Sequence, residues 1–234
     1  MCGTAADRLA CVRMHAVGIL AVVSALGSHA PAAPPPPTEV VRPRKKIVVV
    51  HRVPGTRNGI RVGPRTDFGS PIRYAVVERR PGWVGVITPS VRNGRIGWVR
   101  AGALRRARFV RERVEVDLSR RLLRVLMDDR VVIEATVAVG AAGSPTPIGR
   151  FAITDKVPGW KLGTVYGCCV LVLSGHQPRP PRGWSPGDYR LALHGGDART
   201  IGSAVSAGCV HVPAGPLRFL MNRLPVGTRV TIHP

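Results

Sequence analysis

Short apolar segments separated by glycine and proline run through most of this chain. Its 234 residues include 27 glycines and 22 prolines, and both residue types interrupt regular helices. Between these breaks lie mostly apolar segments of four or five residues, for example Ile47–Val50, Leu122–Leu126 and Leu191–His194. Runs of this length are typical of strands. One helix is predicted near Pro216–Arg223, with the proline in its first turn. The pattern therefore predicts a mainly β fold.

The first 45 residues differ from the rest in composition. Arg8 and Arg13 precede an apolar run over residues 16–26, and small residues follow up to Ala33. This order is typical of a secretory signal, and the apolar run is short for a membrane-spanning helix. Residues 1–33 are therefore predicted to be a signal peptide or an uncleaved signal-anchor. The protein is then exported to the cell envelope or periplasmic space, either secreted or membrane-anchored. Residues 34–45 are predicted to be a proline-rich, basic linker.

The chain is strongly basic. Its formal net charge is +22, because it contains 35 lysines and arginines but only 13 acidic residues. A charge of this size favours association with polyanions. The basic residues are scattered and no nucleic-acid-binding motif accompanies them, so nucleic acid is not the expected partner. An anionic cell-wall or membrane surface is the expected partner, and an arginine-biased codon usage without function is the alternative.

Two Gly-Trp-Val segments mark a small β module over residues 46–105. They begin at Gly82 and Gly97, and the hairpin signal Asn93-Gly94 lies between them. The paired segments resemble the small SH3-like modules of bacterial wall enzymes. Such a module either binds the wall or only supports the domain that follows it.

Cys209 and His194 are the residues whose chemistry stands out. A thiol attacks carbonyl groups as its thiolate, and a nearby imidazole is a common way to produce one. Gly208 allows unusual backbone angles and close approach of a substrate, and the amides of Gly208 and Cys209 are candidate donors to an oxyanion. Cys168 and Cys169 lie in an apolar run and are interpreted as core residues. Without a Cys-x-x-Cys pair, no metal site is predicted.

Three segments of the chain resemble the L,D-transpeptidase catalytic domain of bacteria. One begins at His194-Gly195-Gly196 and ends at Ser206-Ala207-Gly208-Cys209-Val210. The others are residues 144–151, Ser-Pro-Thr-Pro-Ile-Gly-Arg-Phe, and the segment that begins with Val116-Asp117-Leu118-Ser119. The resemblance implies a β-rich L,D-transpeptidase-type catalytic domain over residues 111–234, preceded by the small SH3-like β module.

The resemblance also implies a role for each site residue. Cys209 is the nucleophile, and His194 is its base or the imidazolium of a thiolate–imidazolium pair. The main chain of Gly195 orients the imidazole. Ser206 either contacts the substrate or caps the turn, and His211 binds substrate.

Two positions depart from the family pattern. Ala207 stands where the family often has histidine, and His211 stands where arginine or asparagine is usual. A histidine at 211 loses the bidentate contact that a guanidinium makes. No metal ion or organic cofactor is implied.

The implied reaction is acyl transfer on peptidoglycan stem peptides. Cys209 attacks the carbonyl of the third residue of a tetrapeptide stem, D-alanine leaves, and the side-chain amine of a neighbouring stem resolves the thioester into a 3→3 cross-link. Acylation of Cys209 by carbapenems is implied as well. With water as acceptor the site is a carboxypeptidase, and with a wall-protein lysine it is an anchoring enzyme. A catalytically degenerate wall-binding protein is the non-enzymatic alternative.

Overall fold

Strands account for most of the regular structure in residues 35–182 and 189–234, which are the residues that this computed structural model describes. The mainly β prediction is confirmed. The predicted signal segment over residues 1–33 lies outside the described residues. Within the described ranges, no helix has the length and apolar character needed to cross a membrane.

The first seven strands form a unit that we call the N-terminal β unit, residues 38–110. They are β1 (Thr38–Pro43), β2 (Val48–Val50), β3 (Ile60–Val62), β4 (Tyr74–Arg80), β5 (Trp83–Ile87), β6 (Gly97–Arg100) and β7 (Leu104–Val110). Five of them form an antiparallel sheet in the order β6-β5-β4-β1-β7, and β2 pairs with β3. The two tryptophans of the Gly-Trp-Val segments lie on neighbouring strands, β5 and β6, as the hairpin signal predicts.

The prediction of a linker over residues 34–45 is wrong for Thr38–Pro43. These residues form β1, which pairs with β4 on one side and β7 on the other. Val40 and Val41 are buried, so this strand belongs to the core of the unit. The prolines and arginines on either side suggested an extended tether, but the apolar residues between them are stabilised by burial in the sheet. The unit therefore begins before residue 46 and extends past residue 105.

The remaining strands and the α-helix form the C-terminal domain. They are β8 (Glu112–Asp117), β9 (Leu122–Met127), β10 (Arg130–Thr136), β11 (Val139–Gly140), β12 (Gly149–Pro158), β13 (Cys169–His176), β14 (Arg190–His194), β15 (Ala204–Ser206), β16 (Val210–His211), α1 (Ala214–Arg223) and β17 (Arg229–His233). Eight strands form one sheet in the order β10-β9-β8-β17-β12-β13-β14-β16. The strand β17 lies between β8, to which it is parallel, and β12.

Alternating burial along the strands builds the core of this domain. In β8, Val114 and Val116 are fully buried, whereas Arg113 and Glu115 point outward and form an ion pair of 3.2 Å. The helix α1 buries Leu217 and Leu220 against the same core. It begins two residues before the predicted Pro216, which still lies in the first turn where proline is tolerated.

The N-terminal β unit packs against the C-terminal domain through polar contacts. The side-chain amide of Asn93 donates to the carbonyl of His176 at 2.7 Å, and its oxygen accepts from the amide of His176 at 2.9 Å. Arg229 donates to the carbonyl of Val76 at 2.7 Å. Asn93 therefore does more than mark a turn, because it joins the β5–β6 connection to the end of β13.

Candidate active site

Cys209 lies in a turn between β15 and β16 that closes on itself. The hydroxyl of Ser206 accepts from the amide of Gly208 at 3.0 Å and donates to the carbonyl of Cys209 at 2.5 Å. Gly208 has a φ of +117°, a backbone angle that residues with a Cβ rarely adopt. These contacts assign the hydroxyl of Ser206 to the turn.

The structure differs from the predicted oxyanion role for the amide of Gly208. That amide donates to Ser206, so it is engaged within the turn. Gly208 supports the site instead through its conformation and its lack of a side chain. A Cβ at this position would lie 1.9 Å from Nε2 of Gln177.

Gln177 follows the end of β13 and holds the turn that contains Cys209. It was not predicted from the sequence. Its side-chain amide lies 2.9 Å from the carbonyl of Ala207, and 3.2 and 3.1 Å from those of Ser144 and Pro145. The residue is 7% exposed, so the amide replaces water for these carbonyls. A single glutamine after β13 carried no sequence signal, because its partners are about 30 positions away or more.

His194 ends β14, and its strand is the parallel neighbour of β16. The register pairs Leu193 with Val210 and His194 with His211, which places Cys209 beside Ala192. The ring Nδ1 of His194 lies in hydrogen-bond contact with the carbonyl of Gly195. A carbonyl only accepts, so Nδ1 carries the proton and Nε2 is left as the basic nitrogen. The main chain of Gly195 therefore orients the imidazole.

Burial keeps both reactive groups neutral. Desolvation raises the pKa of the Cys209 thiol to about 11, although a main-chain hydrogen bond with Ala192 acts in the opposite direction. Desolvation, together with repulsion from His211, lowers the pKa of His194 to about 4, against the favourable contact with Gly195. Burial therefore favours the neutral thiol and the neutral imidazole over their charged forms.

The ring of His211 lies beside the ring of His194. The ring centroids of His194 and His211 are 4.7 Å apart, with the rings inclined at 49°. Burial lowers the pKa of His211, so this ring also favours its neutral form. Gly196 makes room for it, because a Cβ there would lie 2.6 Å from Nδ1 of His211. An arginine at 211 would place a permanent positive charge beside His194, and histidine avoids that repulsion.

One cavity of about 530 Å³ contains the reactive side chains. Cys209, His194 and His211 all line it. Most of its other lining residues are apolar or aromatic: Phe68, Leu162, Val165, Tyr166, Val170, Val172, Tyr189 and Ala192. A cavity of this size with few polar groups is suited to a peptide-sized ligand. Ser206, Gly208 and Gly195 are not among its lining residues.

Tyr166 lies in a 3₁₀ turn, Thr164–Tyr166, before β13 begins at Cys169. Its ring contacts the ring of His194 edge-on at 4.9 Å between centroids, and its carbonyl accepts from the amide of Gly195 at 2.9 Å. Gly167 permits this approach, since a Cβ there would lie 3.0 Å from Cα of Gly195.

Cys168 and Cys169 are joined by a disulfide. Cys169 is buried and Cys168 is partly buried against the core of the C-terminal domain, which agrees with the predicted core location. The disulfide adds a covalent bond between the two sulfurs to this packing. Cys209 is the cysteine without a disulfide among the described residues.

No cluster of three or more metal-ligating side chains occurs in residues 35–182 and 189–234.

The neutral thiol leads to a testable pH dependence. Alkylation of Cys209 by iodoacetamide is expected to increase about tenfold per pH unit between pH 6 and pH 10, because the reactive thiolate is a minor species over that range. Mass spectrometry of the Cys209 peptide separates this reaction from labelling elsewhere. Labelling that stays constant from pH 6 to pH 9 would instead identify a thiolate–imidazolium pair.

The known proteins to which this chain is similar are L,D-transpeptidases. The YkuD family model, an L,D-transpeptidase catalytic domain, matches residues 111–232. The putative L,D-transpeptidase YkuD of Bacillus licheniformis is 30% identical over 171 residues, which cover 69% of this chain and 87% of that protein. The protein of the same name from Bacillus subtilis is 28% identical over 121 residues, covering 51% and 65%. A solved L,D-transpeptidase from Mycobacterium smegmatis aligns at a TM-score of 0.45 and 14% identity, covering 80% of this chain and 99% of that one.

The matched residues make the C-terminal domain an L,D-transpeptidase catalytic domain. The chain belongs to the YkuD family, and the resemblance drawn from its sequence motifs is confirmed. The match begins directly after β7 and includes both His194 and Cys209.

Proposed function

We propose that this protein is a cysteine-dependent L,D-transpeptidase that forms 3→3 cross-links between peptidoglycan stem peptides. The observation that carries the proposal is that Cys209 and His194 line the same cavity, inside the segment that matches the catalytic family. The largely apolar lining suits a peptide acyl donor. No cofactor takes part in the proposed reaction.

The reaction begins with a neutral thiol and a neutral base. As the sulfur of Cys209 attacks the carbonyl of the third residue of a tetrapeptide stem, Nε2 of His194 takes the thiol proton. The C–N bond to D-alanine then breaks, and the departing amine receives that proton. A thioester on Cys209 remains.

Resolution of the thioester repeats these steps in the opposite direction. The side-chain amine of a second stem attacks the thioester carbonyl and gives a proton to His194, and the sulfur leaves and recovers it. The new amide is the cross-link. The amide of Cys209 remains the proposed donor to the oxyanion in both steps, since the amide of Gly208 is engaged by Ser206.

We place the protein at the cell envelope as an exported enzyme, on the basis of the signal-like residues 1–33. The N-terminal β unit is proposed to be an SH3-like module. Its surface includes a cavity of about 700 Å³ with four arginines in its lining, Arg52, Arg80, Arg92 and Arg95, beside Glu78. These arginines support the proposed association with an anionic wall or membrane surface.

The proposed reaction is tested by intact-mass spectrometry of the full chain with a disaccharide-tetrapeptide. The expected result is an adduct equal to the donor minus D-alanine, together with a cross-linked dimer. The adduct should disappear in Cys209→Ala and persist in the matched control Cys168→Ser/Cys169→Ser, because only Cys209 lines the reactive cavity among these three.

The products also decide between acceptors. Tripeptide without dimer would assign a carboxypeptidase, and transfer to a lysine-containing protein would assign an anchoring enzyme. Folded wild-type protein that forms neither adduct nor product would contradict the enzymatic proposal and favour a wall-binding protein.

A further inference from the structure

A loop of the N-terminal β unit reaches into the active-site cavity of the C-terminal domain. This loop, Pro64–Ile72, is closed at its base by a hydrogen bond of 3.1 Å from the amide of Ile72 to the carbonyl of Pro64. The amide of Thr66 donates to Ser70 at 2.9 Å, which tightens its tip. Phe68, at the tip, lines the cavity that contains Cys209. We call this segment the 64–72 loop.

The 64–72 loop is attached to the catalytic sheet by side chains. The hydroxyl of Thr66 donates to a carboxylate oxygen of Asp155 on β12, and Asp155 is fully buried. Its other oxygen has no hydrogen-bond partner among the described residues. Because a buried carboxylate without partners is costly, the bond from Thr66 holds the loop firmly in place.

A second attachment lies next to Phe68. The carboxylate of Asp67 is 3.7 Å from the guanidinium of Arg190, whose side chain is only 5% exposed. Arg190 also donates to Thr154 at 3.0 Å and to the carbonyl of Leu173 at 2.6 Å, so it is a fixed point on the catalytic sheet. The two residues that precede Phe68 are thus connected to β12 and β14.

Phe68 remains 36% exposed despite these attachments. An exposed aromatic face that lines a cavity gains free energy when a ligand covers it. Leu162 and Val165, which line the same cavity, are also exposed, at 38% and 72%. The stem peptide carries a diamino acid with a chain of methylene groups, which is an apolar portion of matching chemistry.

We infer that Phe68 is a substrate-binding residue of the active site, supplied by the N-terminal β unit. It packs against the aliphatic part of the acyl-donor peptide and lowers the KM for that donor, while Cys209 and His194 carry out the chemistry. The inference rests on the proposed function for the identity of the donor. The N-terminal β unit then completes the site, in addition to any contact it makes with the wall.

The test compares Phe68→Ala with Phe109→Ala in the full chain. Phe109 is a 55% exposed phenylalanine on β7 of the same unit, and it is not among the residues that line the cavity. Phe68→Ala is expected to raise the KM for a disaccharide-tetrapeptide about tenfold, with kcat within about twofold of wild type. Phe109→Ala is expected to leave both parameters unchanged, and Phe68→Leu to restore part of the affinity.

A second pair of variants tests the attachment of the loop. Thr66→Val removes the hydroxyl that Asp155 needs, and it is expected to raise KM in the same direction as Phe68→Ala. Thr66→Ser keeps the donor and is expected to stay within about twofold of wild type. Thermal unfolding of each variant separates a displaced loop from a destabilised fold, because only the latter lowers kcat and the melting temperature together.

Binding measured in a Cys209→Ala background separates this inference from the proposed reaction. Calorimetry with the tetrapeptide is expected to give a Kd that weakens about tenfold with Phe68→Ala and not with Phe109→Ala. If the wild type does not turn over but this difference persists, the reaction fails and the inference stands. Equal affinities for the Phe68 and Phe109 variants, or no binding of the tetrapeptide at all, would overturn the inference.

Discussion

Replacing His194 by asparagine is expected to lower kcat/KM at pH 7 by about a thousandfold, a typical loss for a general base. The reason is the state of the thiol. With a pKa raised to about 11 by burial, roughly one thiol in ten thousand is ionised at pH 7. Wild-type enzyme removes the proton during attack through Nε2 of His194, whereas the variant depends on the minor thiolate.

The same reasoning predicts the pH profile of His194→Asn. Its residual activity should rise about tenfold per pH unit up to the pKa of the thiol. Wild-type activity should change little from pH 6 to pH 9, since a pKa of about 4 keeps His194 in its basic form throughout. Steady-state assays across this range measure both slopes.

His233→Asn is the matched control for this experiment, because it alters a histidine at the end of β17 that does not line the cavity. It is expected to follow the wild-type profile. A His194→Asn enzyme that retains activity within tenfold of wild type and shows no pH slope would exclude His194 as the base.

Replacing Gly208 by alanine is expected to reduce activity by at least about a hundredfold, because displacement of a nucleophile by an ångström is enough for such a loss. Two causes combine. The φ of +117° is unfavourable for alanine, at a cost of about 1–3 kcal/mol. The added Cβ would also lie 1.9 Å from Nε2 of Gln177, and that amide is held by the carbonyls of Ser144, Pro145 and Ala207.

Denaturant unfolding and alkylation of Cys209 separate the two consequences of Gly208→Ala. Unfolding should show a loss of at least about 3 kcal/mol, and alkylation should show a thiol that has moved from its wild-type environment. Gly215→Ala is the control. Gly215 lies in α1 with a negative φ and no atom within 4 Å of an added Cβ. Alanine at this position should therefore raise the free energy of unfolding by about 0.5–1 kcal/mol. A Gly208→Ala enzyme as active and stable as wild type would contradict the role assigned to this turn.

The N-terminal β unit packs closely against the C-terminal domain, so these experiments require the full chain. β1 lies inside the N-terminal sheet between β4 and β7, and a Cβ on Gly227 of the C-terminal domain would lie 2.6 Å from a methyl of Val40 on that strand. A chain shortened to about Lys45 would lose β1 and this contact. Measurements on the full chain keep the 64–72 loop in place over the cavity.

The strands and the two reactive residues could be predicted from short segments of the sequence. The apolar runs between glycines and prolines indicated the strands, because strand formation depends on local composition and alternation. The motif around Cys209 and the strand ending in His194 indicated the nucleophile and its partner, since the thiol and imidazole define the chemistry whatever surrounds them.

Only the tertiary structure decided which distant residues complete the site and which charge state it has. Phe68 lines the cavity that contains Cys209 and Gln177 bonds to Ala207 in the turn before it, and neither residue belongs to a motif. The same holds for β1, whose basic flanks suggested a linker until its pairing with β4 and β7 was seen. The neutral thiol and imidazole follow from burial. Burial and long-range pairing are properties of the packed chain, and a local pattern of residues does not contain them.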